Sequence, residues 1–553
     1  MRELAATPSF ALASLNMKPA ERLLIAPQDI RTADPTIAAE IYSGYFAMAG
    51  KVVNMQGRSP FEIEAGTPDW RRELIGFSWL RHLRAANTAL ARVNAGALVD
   101  DFLSGVGAAK DPIAWETPVV IRRTLSFLAQ SPIILEGADA AFYRRFMRGL
   151  ARNQRFLEYQ ISAGLVGSIR LFTAIALAEL GLCVKTAPKF QRWSTKLLAD
   201  ELQAQILPDG AHISRDPQIL IDLLLDLLPL RQVYAARAVP APAQLLNAID
   251  RILPMLRLLL HGDGTLALFN GMSVTAPDLL ATVLAYDDAR AQALSNAPYA
   301  GYLRVETHDA ALIVDTGRPP PGVFSTKAHA GCLAFEFSIG LNRFVVNCGA
   351  PDITRKNARE AARMTAAHST LVVADKSSAR FAGSHGLEMG LDGQILAGPR
   401  RVDAERENLP DRTILSLAHD GYVPAFGLVH ARWLTLHANG RRLDGHDSLR
   451  PARQRRKSKP VDFAVRFHMH PSVGVELIED GRAVLLHLPD GNRWFFDAQN
   501  LPLDVEESVF FAAAGGPQTC RQIVIYGRTD EIADIGWSFR CLEEEPNYDA
   551  EST

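Results

Sequence analysis

The feature that most constrains the fold is a change of hydrophobic period near residue 300. Upstream, apolar residues recur at helical spacing; downstream they alternate, and no single segment satisfies both periods. Helical patterning covers residues 80–98, 118–130, 138–158, 165–182, 193–205, 217–228, 242–260 and 276–285. Thr117-Pro118 and Asp216-Pro217 each set a cap candidate before a proline suited to a first helical turn. Gly181 and Gly262 stand where helices are expected to stop. Many helices of similar length with short loops predict helical hairpins, either stacked or arranged in a ring. No repeat marks a standard solenoid.

From about residue 302 the pattern is that of strands. Leu333, Phe335, Phe337 and Ile339 alternate with Cys332, Ala334, Glu336 and Ser338, as in a half-buried strand. Asn439-Gly440 lies between two such runs and predicts a type I′ hairpin, and Asp480-Gly481 does the same. Further strands are expected at 413–418, 461–469, 493–496, 522–526 and 536–541. Short turns between many strands predict antiparallel sheets packed face to face. The fold class is therefore α+β and multidomain, with a helical domain over residues 1–300 and an antiparallel β-domain over 301–553.

A chain of 553 residues exceeds what one hydrophobic core supports. Its net charge of -2 argues against a general nucleic-acid binder. The most apolar run, 219–230, is interrupted by Asp222, Asp226 and Pro229 and is too short for a membrane span, so it reads as a buried helix. The first residues lack a basic stretch followed by an apolar run, which predicts no signal peptide. A cytoplasmic location is expected, with the periplasm as the alternative. Five scattered cysteines predict reduced thiols. The basic run at 450–460 is expected to be a solvated loop, the alternative being a clamp on an anionic polymer.

Several polar groupings carry candidate chemistry. His329 and His368 lie at the edges of β-patterned segments, and Asn347 ends a strand between them. Asp209, His212 and Arg215 share one loop, and His261, Asp263 and Asn270 share another; each is a cleft-lining loop or simply a chain reversal. Tyr422 lies in a turn with His419 and Asp420, as a proton-transfer group or a buried structural tyrosine. His430 and Arg432 share one strand face, lining a cleft or solvated. Arg466, His468 and His470 share another, where two histidines at i and i+2 are a weak metal pair. Trp79 and Trp115 are candidates for stacking on sugar rings, with core packing the alternative for Trp79.

A helical half followed by a β-half, together with segments 329–349, 365–375 and 419–432, resembles the heparinase II/III-like polysaccharide lyases. The resemblance implies an N-terminal (α/α) incomplete toroid and a C-terminal antiparallel β-sandwich. It also implies β-elimination on a uronic-acid-containing poly- or oligosaccharide. That chemistry needs the uronate carboxylate neutralised, a base for the adjacent C–H proton, and an acid for the leaving oxygen. In the family an Asn-His pair and a Tyr on the toroid face a His from the β-domain. Here the corresponding positions read Ser168 and Ile169 for the pair and Ile219 for the tyrosine, with Ser214 where an acidic residue is usual.

Either the alignment slips in helical sequence or this branch uses other residues: His329, Tyr422 and His212 as catalytic groups, and Arg215, Asp209, His261, Asp263, Asn270, His430 and Arg432 around an acidic saccharide. Some members hold a structural zinc at the positions of His329, Asn347 and His368; Asn brings no charge and is a weaker ligand than Asp. The alternatives are a glycoside hydrolase using Asp209 and Asp263 as a carboxylate pair, and a non-catalytic saccharide-binding protein.

Overall fold

The computed structural model describes residues 22–542 apart from 64–65, 106–110, 287–291, 352–354, 384–387, 389, 392, 453–458, 500 and 533. The chain forms two compact units: a helical one (Met1–Gln205, Asp222–Ile249, Ala281–Tyr286) and a sheet-containing one (Ile206–Ile221, Asp250–Leu280, Asp287–Thr553). The second unit thus takes in two segments that precede the change of period. Among the described residues no helix is long and apolar enough to cross a membrane.

The helical unit is built from Pro68–Gly76, Leu80–Ala86, Ala89–Ser104, Thr117–Leu135, Ala140–Ser162, Ser168–Cys183 and Pro188–Gln205, with further helical chain after residue 222. The single helix expected over 80–98 is two. Asn87 takes a left-handed φ of 47°, and the Thr88 hydroxyl then caps the next helix by accepting from Ala91 N–H at 3.1 Å. Thr117 is not a cap, because the helix begins at Thr117 itself and Glu116 flanks it without a side-chain bond. Asp216 is one: its carboxylate accepts from Gln218 N–H at 3.0 Å.

Gly181 lies inside its helix rather than ending it. A Cβ there would sit 2.9 Å from Ser194 Oγ, so glycine lets Ser168–Cys183 and Pro188–Gln205 approach closely. Phe77 anchors the core, with ring centroids 5.0 Å from Phe102 and 4.9 Å from Phe127.

Charge is also buried in this unit. Asp226 bridges Arg31 at 2.8 Å and Arg122 at 2.9 Å. Glu179 is buried nearby, and burial together with the Asp226 charge pushes its carboxyl up to about 8.

In the sheet unit, eight strands run antiparallel in the order Val402–Asn408, Arg412–His419, Leu428–His437, Arg442–Pro451, Asp534–Leu542, Arg493–Asp497, Ala483–His487, Gly474–Ile478. The second sheet runs Asp504–Phe510, Gln518–Arg528, Asp462–Met469, Asn342–Val346, Phe335–Ile339, Ala310–Asp315, Tyr302–Thr307, Asn296–Ala297, with Leu371–Val373 also paired to Asp462–Met469. One apolar core joins them: Phe335, Phe344 and Phe467 from one sheet meet Trp494, Phe496, Trp537 and Phe539 from the other. The expected strands all form, but Phe335–Ile339 is buried on both faces rather than half-buried, Glu336 and Ser338 included. The Asn439-Gly440 hairpin forms with a different turn, since Gly440 alone has a positive φ (70°) and Asn439 instead accepts from Arg441 N–H at 3.0 Å.

Within that core lies an ionic network. Arg432 is bidentate to Asp447 at 2.8 and 3.0 Å, and His430 Nε2 bonds the same carboxylate at 2.7 Å. Trp537 Nε1–H donates to it at 2.9 Å. Arg432 also donates across the core to the carbonyls of Leu333 (2.9 Å) and Ser369 (3.0 Å). Burial opposes the Asp447 charge, yet Arg432 and then His430 hold its carboxyl well below the usual range. His430 and Arg432, expected to line a cleft or face solvent, have no exposed surface.

Two predictions follow from these buried charges. Asp447→Ala leaves the Arg432 guanidinium uncompensated and costs about 3–5 kcal/mol, read from urea denaturation. The double variant Asp447→Leu/Arg432→Met removes both charges and loses less; equal loss in the two would refute the account.

Glu179 is protonated in the fold at neutral pH but ionised in the unfolded chain above its ordinary value of 4.5. Its contribution is complete below that value and is lost as pH rises towards about 8. At about 1.4 kcal/mol per pKa unit this is on the order of 5 kcal/mol. Glu179→Gln should flatten the pH dependence of the denaturation midpoint across that window and exceed the wild type in stability above it. An unchanged pH slope refutes the assignment.

Candidate active site

Apart from Trp79, all of the site residues below lie in the sheet-containing unit. His329 sits on the loop leading into Phe335–Ile339, with its backbone N–H bonded to Asn270 Oδ1 at 3.2 Å. His368 follows a short turn at Thr365–Ala367 and precedes Leu371–Val373. The two rings meet edge to face, with His329 Nδ1 and His368 Nε2 3.0 Å apart.

Their protonation follows from the partners. His368 Nδ1 lies 2.9 Å from the Met364 carbonyl, which only accepts, so Nδ1 carries the proton. Burial lowers the pKa of His368, leaving Nε2 as an acceptor. His329 therefore donates from Nδ1, and its Nε2 keeps a lone pair. Burial, then His368 and Arg363, hold His329 far below the ordinary histidine range. Among the described residues Nε2 has no hydrogen-bond partner, and His329 is 6% exposed. A neutral imidazole with an unshared lone pair is equipped to take a proton.

Arg363 lies beside it. Its Nε donates to the Ala328 carbonyl at 2.7 Å, next to His329, and Nη2 donates to Ser325 at 2.9 Å and Gly393 at 2.6 Å. Burial drops this guanidinium to about 10, which keeps it charged, and among the described residues no carboxylate pairs with it. The sequence reading passed over Arg363; its signal was an arginine five residues ahead of His368, at the start of the same turn.

Arg215 is placed differently. Its φ is 60°, and its guanidinium packs over Tyr302 while donating to Asp315 and to the carbonyls of Ala300 (2.5 Å), Gly301 (3.3 Å) and Arg318 (3.2 Å). Asn270 Nδ2 completes the cluster by donating to Tyr302 Oη at 2.7 Å and Asp315 at 3.3 Å. Tyr302 and Asp315 were also passed over. They are facing partners in the hairpin formed by Tyr302–Thr307 and Ala310–Asp315, a pairing visible only once the register is known.

The other candidates are held internally. His212 Nδ1 bonds Ser214 Oγ at 2.7 Å, and burial takes this histidine down to about 3. Tyr422 donates to the Leu371 carbonyl at 2.9 Å, and burial raises its hydroxyl. His261 bonds Ser338 at 2.8 Å and the buried Glu336 at 2.9 Å. Asp209 accepts from the N–H groups of Tyr299 and Ala300, both at 2.8 Å, and Asp263 accepts from Thr265 N–H and Oγ1–H at 2.9 and 2.7 Å. Both carboxylates act as backbone caps. His468 is bonded to Ser508 at 2.8 Å and the Ala366 carbonyl at 3.0 Å. Trp79 is core. Most of the basic run, residues 453–458, lies outside the described residues.

Zinc does not fit the three positions named for it. The Asn347 carboxamide is engaged at both ends, donating to Glu336 at 3.1 Å and accepting from Ser369 N–H at 3.0 Å. Two neutral histidines remain, and among the described residues no group of three or more His, Cys, Asp or Glu side chains is arranged to hold a metal ion.

Residues 289–538 match the family described as heparinase II/III-like, C-terminal. The FtsZ-localized protein C of Caulobacter vibrioides is 31% identical over 533 residues, covering 95% of this chain and 91% of that protein. A heparan sulfate lyase from Pedobacter heparinus superposes with a TM-score of 0.62 at 15% identity, covering 97% of this chain and 87% of the lyase. A heparinase III does so with a TM-score of 0.68 at 13% identity, covering 97% and 84%. The chondroitin AC lyase of Streptomyces coelicolor gives 0.53 at 10%, covering 92% and 79%. At such identities these structures establish the fold, a helical toroid with a β-sandwich. The family match and the full-length relative together establish that the chain belongs to the heparinase II/III-like family.

Proposed function

We propose that the protein acts on a uronate-bearing poly- or oligosaccharide by β-elimination, with His329 as the base. The observation carrying this reading is the hydrogen-bond chain from Met364 through His368, which leaves His329 Nε2 unprotonated and without a partner among the described residues. Arg363, charged and without a carboxylate partner among the described residues, takes the role of neutralising the uronate in place of Arg215, whose guanidinium is committed to Asp315. The proton on the carbon beside the carboxylate passes to His329 Nε2. The C–O bond to the leaving sugar breaks, a C=C bond forms, and the protonated His329 returns the proton to the leaving oxygen. Tyr422 and His212 support the fold around the site, since their polar atoms are bonded within the protein.

Incubation with heparan sulfate, chondroitin sulfate and other uronate polymers should generate the ultraviolet absorbance of an unsaturated uronate. His329→Ala should lower the rate at least about a hundredfold, and Arg363→Met should raise KM more than it lowers kcat. New reducing ends without that absorbance would point to hydrolysis, and saccharide binding with neither product to a non-catalytic role; either overturns the proposal.

A second reading concerns location. A relative named for localization with FtsZ matches nearly the whole chain, which supports the same placement for this protein. A fluorescent fusion should then coincide with FtsZ in dividing cells, and a distribution indifferent to FtsZ depletion would exclude it.

A further inference from the structure

The helical unit contains a buried cation for which no anionic partner appears among the described residues. Arg123, on Thr117–Leu135, is 2% exposed, and its guanidinium donates only to the Ala114 carbonyl at 2.9 Å and Asn153 Oδ1 at 3.0 Å. No carboxylate lies within ion-pairing distance among the described residues; the nearby Asp111 is taken by Arg71 and by Ile113 N–H. Burial drops Arg123 to about 9, so it stays charged at neutral pH. Isolated buried charge of this kind is costly unless something compensates it.

A small cavity adjoins it, with about 20 Å³ open to the centre of a water-sized sphere. Its walls are Phe102, Trp115 and Phe127, and its polar edge is Arg123, Arg152 and Asn153. The guanidinium carbon lies 5.3 Å from the Phe102 ring centre and 5.7 Å from that of Trp115. Asn153 is 3% exposed, and its Nδ2 is buried without a hydrogen-bond partner. Besides Leu103 and Gly149, the residues around the cavity are aromatic rings and the donor-bearing Arg123, Arg152 and Asn153. An edge of donors beside a cation favours an anion, which has no hydrogens of its own to place.

We propose that this cavity binds one small monovalent anion of the halide or carboxylate class, held between the Arg123 guanidinium and Asn153 Nδ2–H. The volume accommodates a single halide or a carboxylate head. The site lies wholly within the helical unit and is independent of the reaction proposed for His329.

The full chain should show a saturable rise in Tm with chloride, and separately with acetate, at constant ionic strength maintained with isethionate, a bulky sulfonate. The two series distinguish a halide from a carboxylate. Asn153→Ala, which keeps Arg123 and its core packing, should require about tenfold more anion for the same shift, as expected for loss of one bond to a charged group. Crystals grown in bromide should show anomalous density between Arg123 and Asn153. No saturable response in the wild type, an equal response in Asn153→Ala, or bromide absent from the cavity would each overturn the proposal.

Discussion

The sheet-containing unit depends on the buried contact between Arg432 and Asp447. Apolar packing between two sheets is non-directional and tolerates sliding, whereas a bidentate guanidinium–carboxylate pair has one geometry. Arg432 and Asp447 stand on neighbouring strands of the eight-stranded sheet, directly opposite in register. The remaining guanidinium donor reaches the carbonyls of Leu333 and Ser369, which follow His329 and His368 in sequence by four residues and one. Leu333 has a φ of 64°, a conformation a leucine holds only when its surroundings impose it. One ion pair in the core thus sets the path of both histidine-bearing loops. It fixes the distance between the rings from behind, at a place no substrate reaches.

Low polarity around these loops decides the histidine chemistry. Desolvation favours the neutral ring for His329, His368, His430 and His468 alike, so each acts as one donor and one acceptor. His430 and His468 spend both nitrogens inside the protein. His329 spends one. The distinction between a structural histidine and a candidate base therefore rests on the count of bonds made, since all four share the same direction of pKa shift. A low pKa also makes a weaker base, which raises the demand on the neighbouring cation. Arg363 meets that demand because its other donors go to carbonyls, leaving its charge uncancelled.

Much of the architecture was legible in the residues because period is a local property. Alternation at Leu333 to Ile339 and helical spacing at 138–158 each report one face of one element. The break at Asn87-Thr88 was missed since the apolar pattern runs through it; the Asn-Thr pair was the available signal. His430 and Arg432 were read as a polar face, yet Leu434 and Leu436 share their parity and stood for the inner side of the sheet. The alternation gave the face; the apolar members of the set identified which face. Tyr302 and Asp315 were not legible, and Arg363 was legible only as an arginine near His368, because each acquires its meaning from partners brought near by tertiary register.

Two of the buried arginines, Arg432 and Arg123, separate what a core charge is for. Arg432 meets a carboxylate, a carbonyl on each of two loops and two aromatic rings, so its charge is cancelled and its donors are largely spent. Replacing such a pair by apolar groups costs geometry more than energy. Arg123 meets one carbonyl and one amide oxygen, with aromatic faces on either side, and its charge persists. Aromatic quadrupoles and neutral dipoles lower the cost of a buried cation without cancelling it. A methionine or leucine would fill the same space at no electrostatic cost, whereas Arg123 carries a charge that no carboxylate among the described residues offsets.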